Sequence, residues 1–527
     1  MLTPSIPDTM KIPTPQELGF SEKFERWRPA QIEALRWLSL SSKRVKAFCA
    51  ATGFGKTPVV VAHAVMSNLN TCIVTENRGL QSQAMEDYGG LGMVDLRGRS
   101  NYTCDLRPDY TCDMGYAAKC SKKGTIHCPA SQAEMRAATS KLVITNYAKW
   151  TSSRKFGQGM DHFDQVIFDE GHETHKALCA AMSVTLSHRE TEELLGLDFP
   201  NPTDAEDMVN WKPWVIGAKA TAEAEMLASK ERVRGNPGNG TEVRRFLHLT
   251  NLCKRLNVLA TAQPENWIAD TAEKGYVFDP VRPGRYSEGA LLLRVPSILV
   301  VSATIRPKTL HMIGVGKDHY DYREFESEFD GARHPVYYVP TMRVDSRSPD
   351  LSKLWILLDQ IAARRTDRKG IVHTVSYLRR EAILSRSRFA PAMLVNSKGE
   401  AATEIVNAFK RSKPGTILVS PSVGAGFDFP LTQCEWQFLC KIPFPNGQTK
   451  IHRARQEADS EYGAYQAMTK MEQTFGRGMR SKEDQCEGFI GDEHLDWFLP
   501  KFAHLASKSF LRVFKKVRVV PPPPPKL

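Results

Sequence analysis

At 527 residues, with 41% hydrophobic and 25% charged residues, the chain is long enough for several globular cores. Its composition excludes a fibrous or disordered protein. Lys and Arg number 71 against 59 Asp and Glu, a net charge of +12, which points to a polyanionic partner, nucleic acid first. Met1–Pro13 lacks the basic and apolar regions of a secretory signal, and the best apolar run, Ala290–Thr304, is interrupted by Arg294 and Pro296. No membrane span is expected, and a cytoplasmic setting is. There, the 11 cysteines read as thiols or metal ligands rather than disulfides.

Residues 1–20 are Pro-rich and polar and read as a lead-in. Phe24–Gln31 runs into a helical pattern at Ile32, Leu35 and Leu38. An Arg-Pro-x-Gln entry just upstream of a phosphate loop assigns Gln31 to the adenine edge, because an amide can pair with both N6 and N7. Val45–Cys49 is an apolar strand. The loop Ala50-Ala51-Thr52-Gly53-Phe54-Gly55-Lys56-Thr57 follows it, with Ala50 where the usual pattern has glycine. Pro58–Ala64 then opens a helix with proline in its first turn. Such a loop aims successive backbone N–H groups at a phosphate. Gly53 and Gly55 permit the close approach, Lys56 reaches the β/γ-phosphates and Thr57 ligates magnesium. Gly-Lys-Thr alone could be a tight turn; the flanking strand and helix favour the nucleotide.

Thr71–Thr75 is a second strand, and the polar segment after it, Glu76–Gln83, is placed to hold a nucleic-acid backbone. Next come Cys104, Cys112, Cys120 and Cys128, each separated from the next by seven residues. Four thiolates can ligate an iron–sulfur cluster or one zinc. Close Cys-x-x-Cys pairs, usual for zinc, are absent, and wide even spacing suits a cubane. Arg97, Arg99, Lys119, Lys122 and Lys123 give this insertion a basic face. Lys141–Tyr147 is another strand and turn. Gln165–Phe168 then leads into Asp169-Glu170-Gly171-His172: Asp169 to hold magnesium, Glu170 to orient and deprotonate the attacking water. His172 can couple this site to nucleic acid.

Residues 176–290 read as a mostly helical insertion, with helices over Ala177–Leu195, Asp204–Val233 and Thr241–Ala262. Ile298–Ile305 returns to a buried strand ending in Ser-Ala-Thr, and 311–350 reads as a crossover. Strands near 370–373, 392–395, 416–420, 436–439 and 488–490, separated by amphipathic segments, predict a second parallel α/β sheet. Ser422–Pro430 is a Gly-rich loop carrying Asp428. Gln473–Arg480 places Arg477 and Arg480 three residues apart on a helix face, able to neutralise charge on a transferring phosphoryl group. The tail, a basic segment and then five prolines, reads as extended, solvated and available to a protein partner.

In this order the motifs resemble the superfamily II DNA helicases of the XPD/DinG-like iron–sulfur family. Arg28–Gln31, Gly53–Thr57, Thr75, the four cysteines, Asp169–His172, Ser302–Thr304, Gly426–Pro430 and Gln473–Arg480 carry the resemblance across most of the chain. It implies an α/β fold of two RecA-like motor domains with ATP and Mg2+ between them, a 4Fe–4S cluster on the cysteines, and 5′ to 3′ tracking on single-stranded or forked DNA. Residue by residue it assigns Lys56, Thr57, Asp169 and Glu170 to nucleotide chemistry. Gln473, Arg477 and Arg480 complete that chemistry from the second domain, with Asp428 as a nucleotide sensor. The implied layout is a lead-in 1–20 and a first motor domain in the pieces 21–100, 131–175 and 291–310. A cysteine module 101–130 and a helical arch 176–290 interrupt it; a second motor domain 311–518 and a tail 519–527 follow. Gly171 stands where the family usually has alanine, a difference expected to be harmless, and the size fits a stripped-down bacterial or phage version. A translocase on duplex DNA or RNA without strand separation, and a non-enzymatic nucleic-acid scaffold, are the alternatives.

Overall fold

The computed structural model describes residues 10–118, 120, 125, 127–155, 162–201, 207–326, 331–345, 350–395, 402–421, 427, 429–478 and 483–525. Strands β1 (Val45–Ala50), β2 (Thr71–Thr75) and β3 (Met93–Asp95) are followed by a hairpin, β4 (Thr103–Cys104) and β5 (Arg107–Thr111), then by β6 (Leu142–Asn146) and β7 (Gln165–Asp169). Next come β8 (Val184–Ser187), β9 (Trp267–Ala272), β10 (Gly275–Pro280), β11 (Ser297–Ser302) and β12 (Tyr320–Phe325). The back half holds β13 (Val336–Met342), β14 (Gly370–His373), β15 (Met393–Leu394), β16 (Ile417–Ser420), β17 (Trp436–Leu439), β18 (Glu487–Asp492) and β19 (Phe514–Lys516).

Two seven-stranded sheets result, in the orders β12-β1-β11-β7-β2-β6-β3 and β15-β16-β14-β17-β18-β13-β19. Every pairing in both is parallel. β2 and β7 are buried at every residue, as strands covered by helices on both faces must be. The expected α/β class and paired motor sheets are therefore present.

Three expectations change. Residues 311–350 are not a plain crossover: β12 lies beside β1 as an edge strand of the first sheet, and β13 joins the second. Alternation with charged residues rather than an apolar run marks β12, which hid it. The 176–290 insertion is not only helical. Its long helices Met208–Gly235 and Gly240–Thr261 pack on each other, but an antiparallel sheet β8-β10-β9 sits at their base. The expected helix 177–195 breaks at Ser183 into helix Thr174–Met182, β8 and helix His188–Leu195. The tail is not freely solvated: Arg365 Nη2 donates to the Pro521 carbonyl at 3.2 Å, Arg364 to that of Val520 and Arg368 to that of Pro524. Arg365 is itself fully buried in a bidentate pair with Glu487 at 2.7 and 2.8 Å.

Behind the phosphate loop, His63 is buried, within 3.2 Å of Gln165. Burial, reinforced by Lys46, pushes its imidazole down to about 3. An unfolded histidine titrates near 6.5, so between those values the unfolded chain takes up a proton that the native state refuses. The stability gained by keeping His63 neutral is present above about pH 6.5 and lost as pH falls. His63→Gln should shrink the drop in melting temperature between about pH 7 and about pH 5 seen by calorimetry; an unchanged drop would contradict this account.

Candidate functional site

The phosphate loop turns on two glycines at φ +81° (Gly53) and +79° (Gly55), conformations that side chains resist. Lys56 begins helix Lys56–Ser67, and its Nζ donates to the Ala50 and Ala51 carbonyls at 3.2 and 3.5 Å, contacts that a phosphate can replace. Gln31 lines the cleft, and its amide is engaged with the loop. Its Oε1 accepts from the Arg28 N–H and its Nε2 donates to the Phe54 carbonyl, both at 2.9 Å, while Arg28 Nη2 donates to Gly53 O at 3.0 Å. A Cβ on Gly55 would lie 2.5 Å from Gln31 Nε2. The amide assigned to adenine is thus engaged in holding the loop against helix Pro29–Leu40.

β7 delivers Asp169 and Glu170 beside this loop. Burial, with the Glu170 charge adjacent, raises the Asp169 carboxyl to about 6, against the pull of Lys56, the Glu170 N–H and the Thr57 hydroxyl. Glu170 has φ +50°, a strained value that turns its carboxylate out of the strand direction. Ser302 Oγ, at the end of β11, donates to Glu170 at 3.4 Å and lies 2.7 Å from His172 Nδ1. Burial lowers the His172 imidazole, with the Glu170 and Glu173 carboxylates opposing. The Ser-Ala-Thr strand end is therefore wired to both members of the acidic motif.

The second sheet contributes from across a cleft. Gln473 lies on helix Tyr462–Phe475 and Arg477 in the turn Gly476–Gly478 that follows. Arg477 Nη1 donates to Phe427 O at 2.8 Å, and its buried Nε has no hydrogen-bond partner. Burial lowers its guanidinium, opposed by Glu170 and Glu76 across the gap. A Cβ on Gly476 would lie 3.2 Å from Thr52 Oγ1 of the phosphate loop. One cavity of about 820 Å³ is lined by Lys56, Thr57, Asp169 and Glu170 from one side and Gln473 and Arg477 from the other. Asp428 and Arg480 lie outside the described residues.

The cysteines also converge. Cys104, Cys112, Cys120 and Cys128 line one small cavity, with Cys112 and Cys128 Sγ 3.4 Å apart. Gly115 keeps the cavity open: a Cβ there would lie 2.8 Å from Cys104 Sγ. Burial and the Cys128 thiol push Cys112 up to about 12; Cys128, despite its own burial, is held below its usual value by Ser131 and Cys112. Among the described residues no three His, Cys, Asp or Glu side chains close to single-ion spacing. The expected basic face is partly neutralised, because Arg97 pairs with Asp95 at 2.7 Å and Arg99 with Glu134 at 2.9 Å; Lys119, Lys122 and Lys123 lie outside the described residues. Sequence reasoning missed the backbone turn at Val375, a β-branched residue at φ +64° two residues past β14. Its one signal was the Ser376 cap that accepts from the Arg379 N–H at 3.3 Å.

Two families match: "Helicase C-terminal domain" over residues 363–505, and "Type III restriction enzyme, res subunit" over residues 25–197. No curated protein sequence matches significantly. Solved structures with this fold include one titled "XPD_Helicase" (TM-score 0.62, 13% identity, covering 93% of this chain and 99% of that one). Another is "Structure of S. tokodaii Xpd4" (TM-score 0.59, 14% identity, 93% of this chain and 100% of that one). Residues 363–505 thus match a helicase C-terminal domain, and the chain as a whole has the two-sheet fold of these XPD structures.

Within this fold, Gly171 is not interchangeable with alanine. A Cβ there would lie 2.4 Å from Val300 Cγ1 and 3.1 Å from the Val301 nitrogen on the neighbouring strand. Gly171→Ala should cost about 1–3 kcal/mol in denaturant unfolding. The cost should be smaller in a Val300→Ala background, which makes room for the methyl; equal costs in the two backgrounds would rule out the clash.

Proposed function

We propose that this chain is an ATP-driven DNA helicase that tracks along single-stranded DNA in the 5′ to 3′ direction and separates the duplex of a fork. The observation that supports it best is the single cleft holding opposite charges from two sheets. In this reading Lys56 leaves its loop carbonyls for the β/γ-phosphates. Thr57 and Asp169 hold a magnesium ion, which screens the phosphate charge when bound. Glu170, aimed by its backbone turn and by Ser302, orients the attacking water and takes its proton. Gln473 lines the same space, and Arg477 brings a buried Nε without a partner to the charge that develops on the transferring phosphoryl group. The direction of tracking rests on the family resemblance.

The reading extends to the insertions. Cys104, Cys112, Cys120 and Cys128 form an all-sulfur donor set around one cavity, the ligand chemistry that a 4Fe–4S cluster takes, one thiolate to each iron. Its role is structural, since the module has little core of its own. Cys104, Tyr110 and Ala118 pack with Val233 and Val243 from the tip of the helical pair, and Arg107 Nη1 donates to Pro237 O at 3.0 Å. Module and helices thereby close a ring with the first sheet, and a single strand can thread it. The docked proline tail disfavours the tail as a partner site.

Lys56→Ala should lower DNA-stimulated ATP hydrolysis by about 100-fold or more, and Glu170→Gln should do the same while still binding nucleotide. On forks with one tail, strand release should need a 5′ tail; hydrolysis without release would leave a translocase and remove strand separation. Protein purified without oxygen should be brown, with about four irons per chain. Cys112→Ser should lose iron and melt at lower temperature; colourless protein with one zinc would overturn the cluster.

A further inference from the structure

Behind the cleft lies a buried ionic contact that no motif predicted. Arg306 follows the Ser-Ala-Thr segment and is 4% exposed. Its Nη1 donates to Ile305 O at 2.6 Å and to the Tyr322 hydroxyl at 3.0 Å. Among the described residues its Nε and Nη2 are buried and make no hydrogen bond, and the buried Cys49 thiol also faces the guanidinium. Nη2 points between two carboxylates, 3.6 Å from Glu472 Oε2 in the second motor domain and 3.9 Å from Glu324 Oε1 on β12 of the first. Glu472 is 8% exposed and immediately precedes Gln473. Both carboxylates also reach the C-terminal segment: Glu472 Oε1 accepts from the Ser507 N–H and Glu324 Oε1 from the Lys508 N–H, each at 2.8 Å.

A buried guanidinium with two idle nitrogens is costly unless a second state of the molecule satisfies them. A charge-assisted hydrogen bond forms at about 2.8 Å, so less than about 1 Å of approach would complete the contact to Glu472. Glu472 lies on helix Tyr462–Phe475, with Gln473 next to it and Arg477 in the turn that follows, so an approach of Glu472 to Arg306 would move both. Arg306 is also joined by a short run of chain to Ser302, which touches Glu170.

We propose that Arg306 is a positioning residue that latches the closed cleft, gaining its full hydrogen bonds to Glu472 only when nucleotide draws the two motor domains together. The proposal rests on the ATPase reading above. It assigns to this arginine the transmission of nucleotide binding from the Ser302–Glu170 side to the Arg477 side. A merely structural ion pair would behave differently. Replacing both members of a buried pair by apolar residues of similar size commonly restores stability, whereas removing one leaves a buried charge alone.

The test compares Arg306→Met, Glu472→Gln and the double variant Arg306→Met/Glu472→Met in the full chain, with wild type and Lys56→Ala alongside. Melting temperature and the kcat and KM of DNA-stimulated ATP hydrolysis are read for each. The single variants should melt lower. The double variant should regain most of the melting temperature, yet kcat should stay at least tenfold below wild type with KM for ATP changed far less. A double variant that recovers both stability and kcat overturns the latch while leaving the ATPase intact. Wild type indistinguishable from Lys56→Ala overturns the ATPase reading, and the latch with it.

Discussion

The structure depends on how closely two loops from two different sheets approach. The phosphate loop after β1 and the turn after helix Tyr462–Phe475 come within van der Waals reach at Thr52 and Gly476. Four carboxylates crowd the first side, and burial together with Glu173 and Glu170 raises the Glu76 carboxyl. Such a concentration of negative charge is tolerable only where cations face it and a bound metal can join them. Lys56 and Arg477 supply part of that balance, one from each side. The charged lining of the pocket is thus assembled from both sheets and is incomplete in either half alone.

Parallel topology explains why these groups meet. β1, β7 and β11 run the same way, so the phosphate loop, the acidic pair and Ser302 all emerge at the same edge of one sheet. Ligands of open parallel sheets collect at that edge. The two large insertions leave from the same half, one between β3 and β6 and the other between β7 and β11. They find each other in space, because the cysteine module lacks a core and the helical pair offers Val233 and Val243 to complete one. Each insertion thereby completes the packing of the other.

Much of the catalytic side was legible in the residues. Gly53, Gly55, Lys56 and Thr57 announce a strand–loop–helix turn through spacing alone, and Asp169-Glu170 after an apolar strand is a local pattern of the same kind. Arg477 was legible only together with the first half, since a basic helix face has many ordinary uses. The even spacing of the cysteines marked them as a group, and the four line one cavity. Edge strands were harder. β12 carries Tyr320, Tyr322 and Phe325 between charged residues and pairs with β1 across some 270 positions of sequence, so nothing nearby identifies it. The proline tail read as solvated because composition says nothing of Arg364, Arg365 and Arg368, which capture its carbonyls.

The sequence by itself determined the local chemistry: which segments bend around a phosphate, which strands are buried on both faces, and which side chains can carry charge. These follow from φ preferences, apolar periodicity and functional-group type, all properties of a few adjacent residues. Only the tertiary structure decided the partners. Gln31 grips the phosphate loop because the Phe54 carbonyl comes within reach of its amide, Gly171 is required because Val300 of another strand fills the space, and Arg306 lies between Glu324 and Glu472 because two sheets dock there. Contacts between residues far apart in the chain depend on how whole sheets pack, and no short window of sequence holds that information.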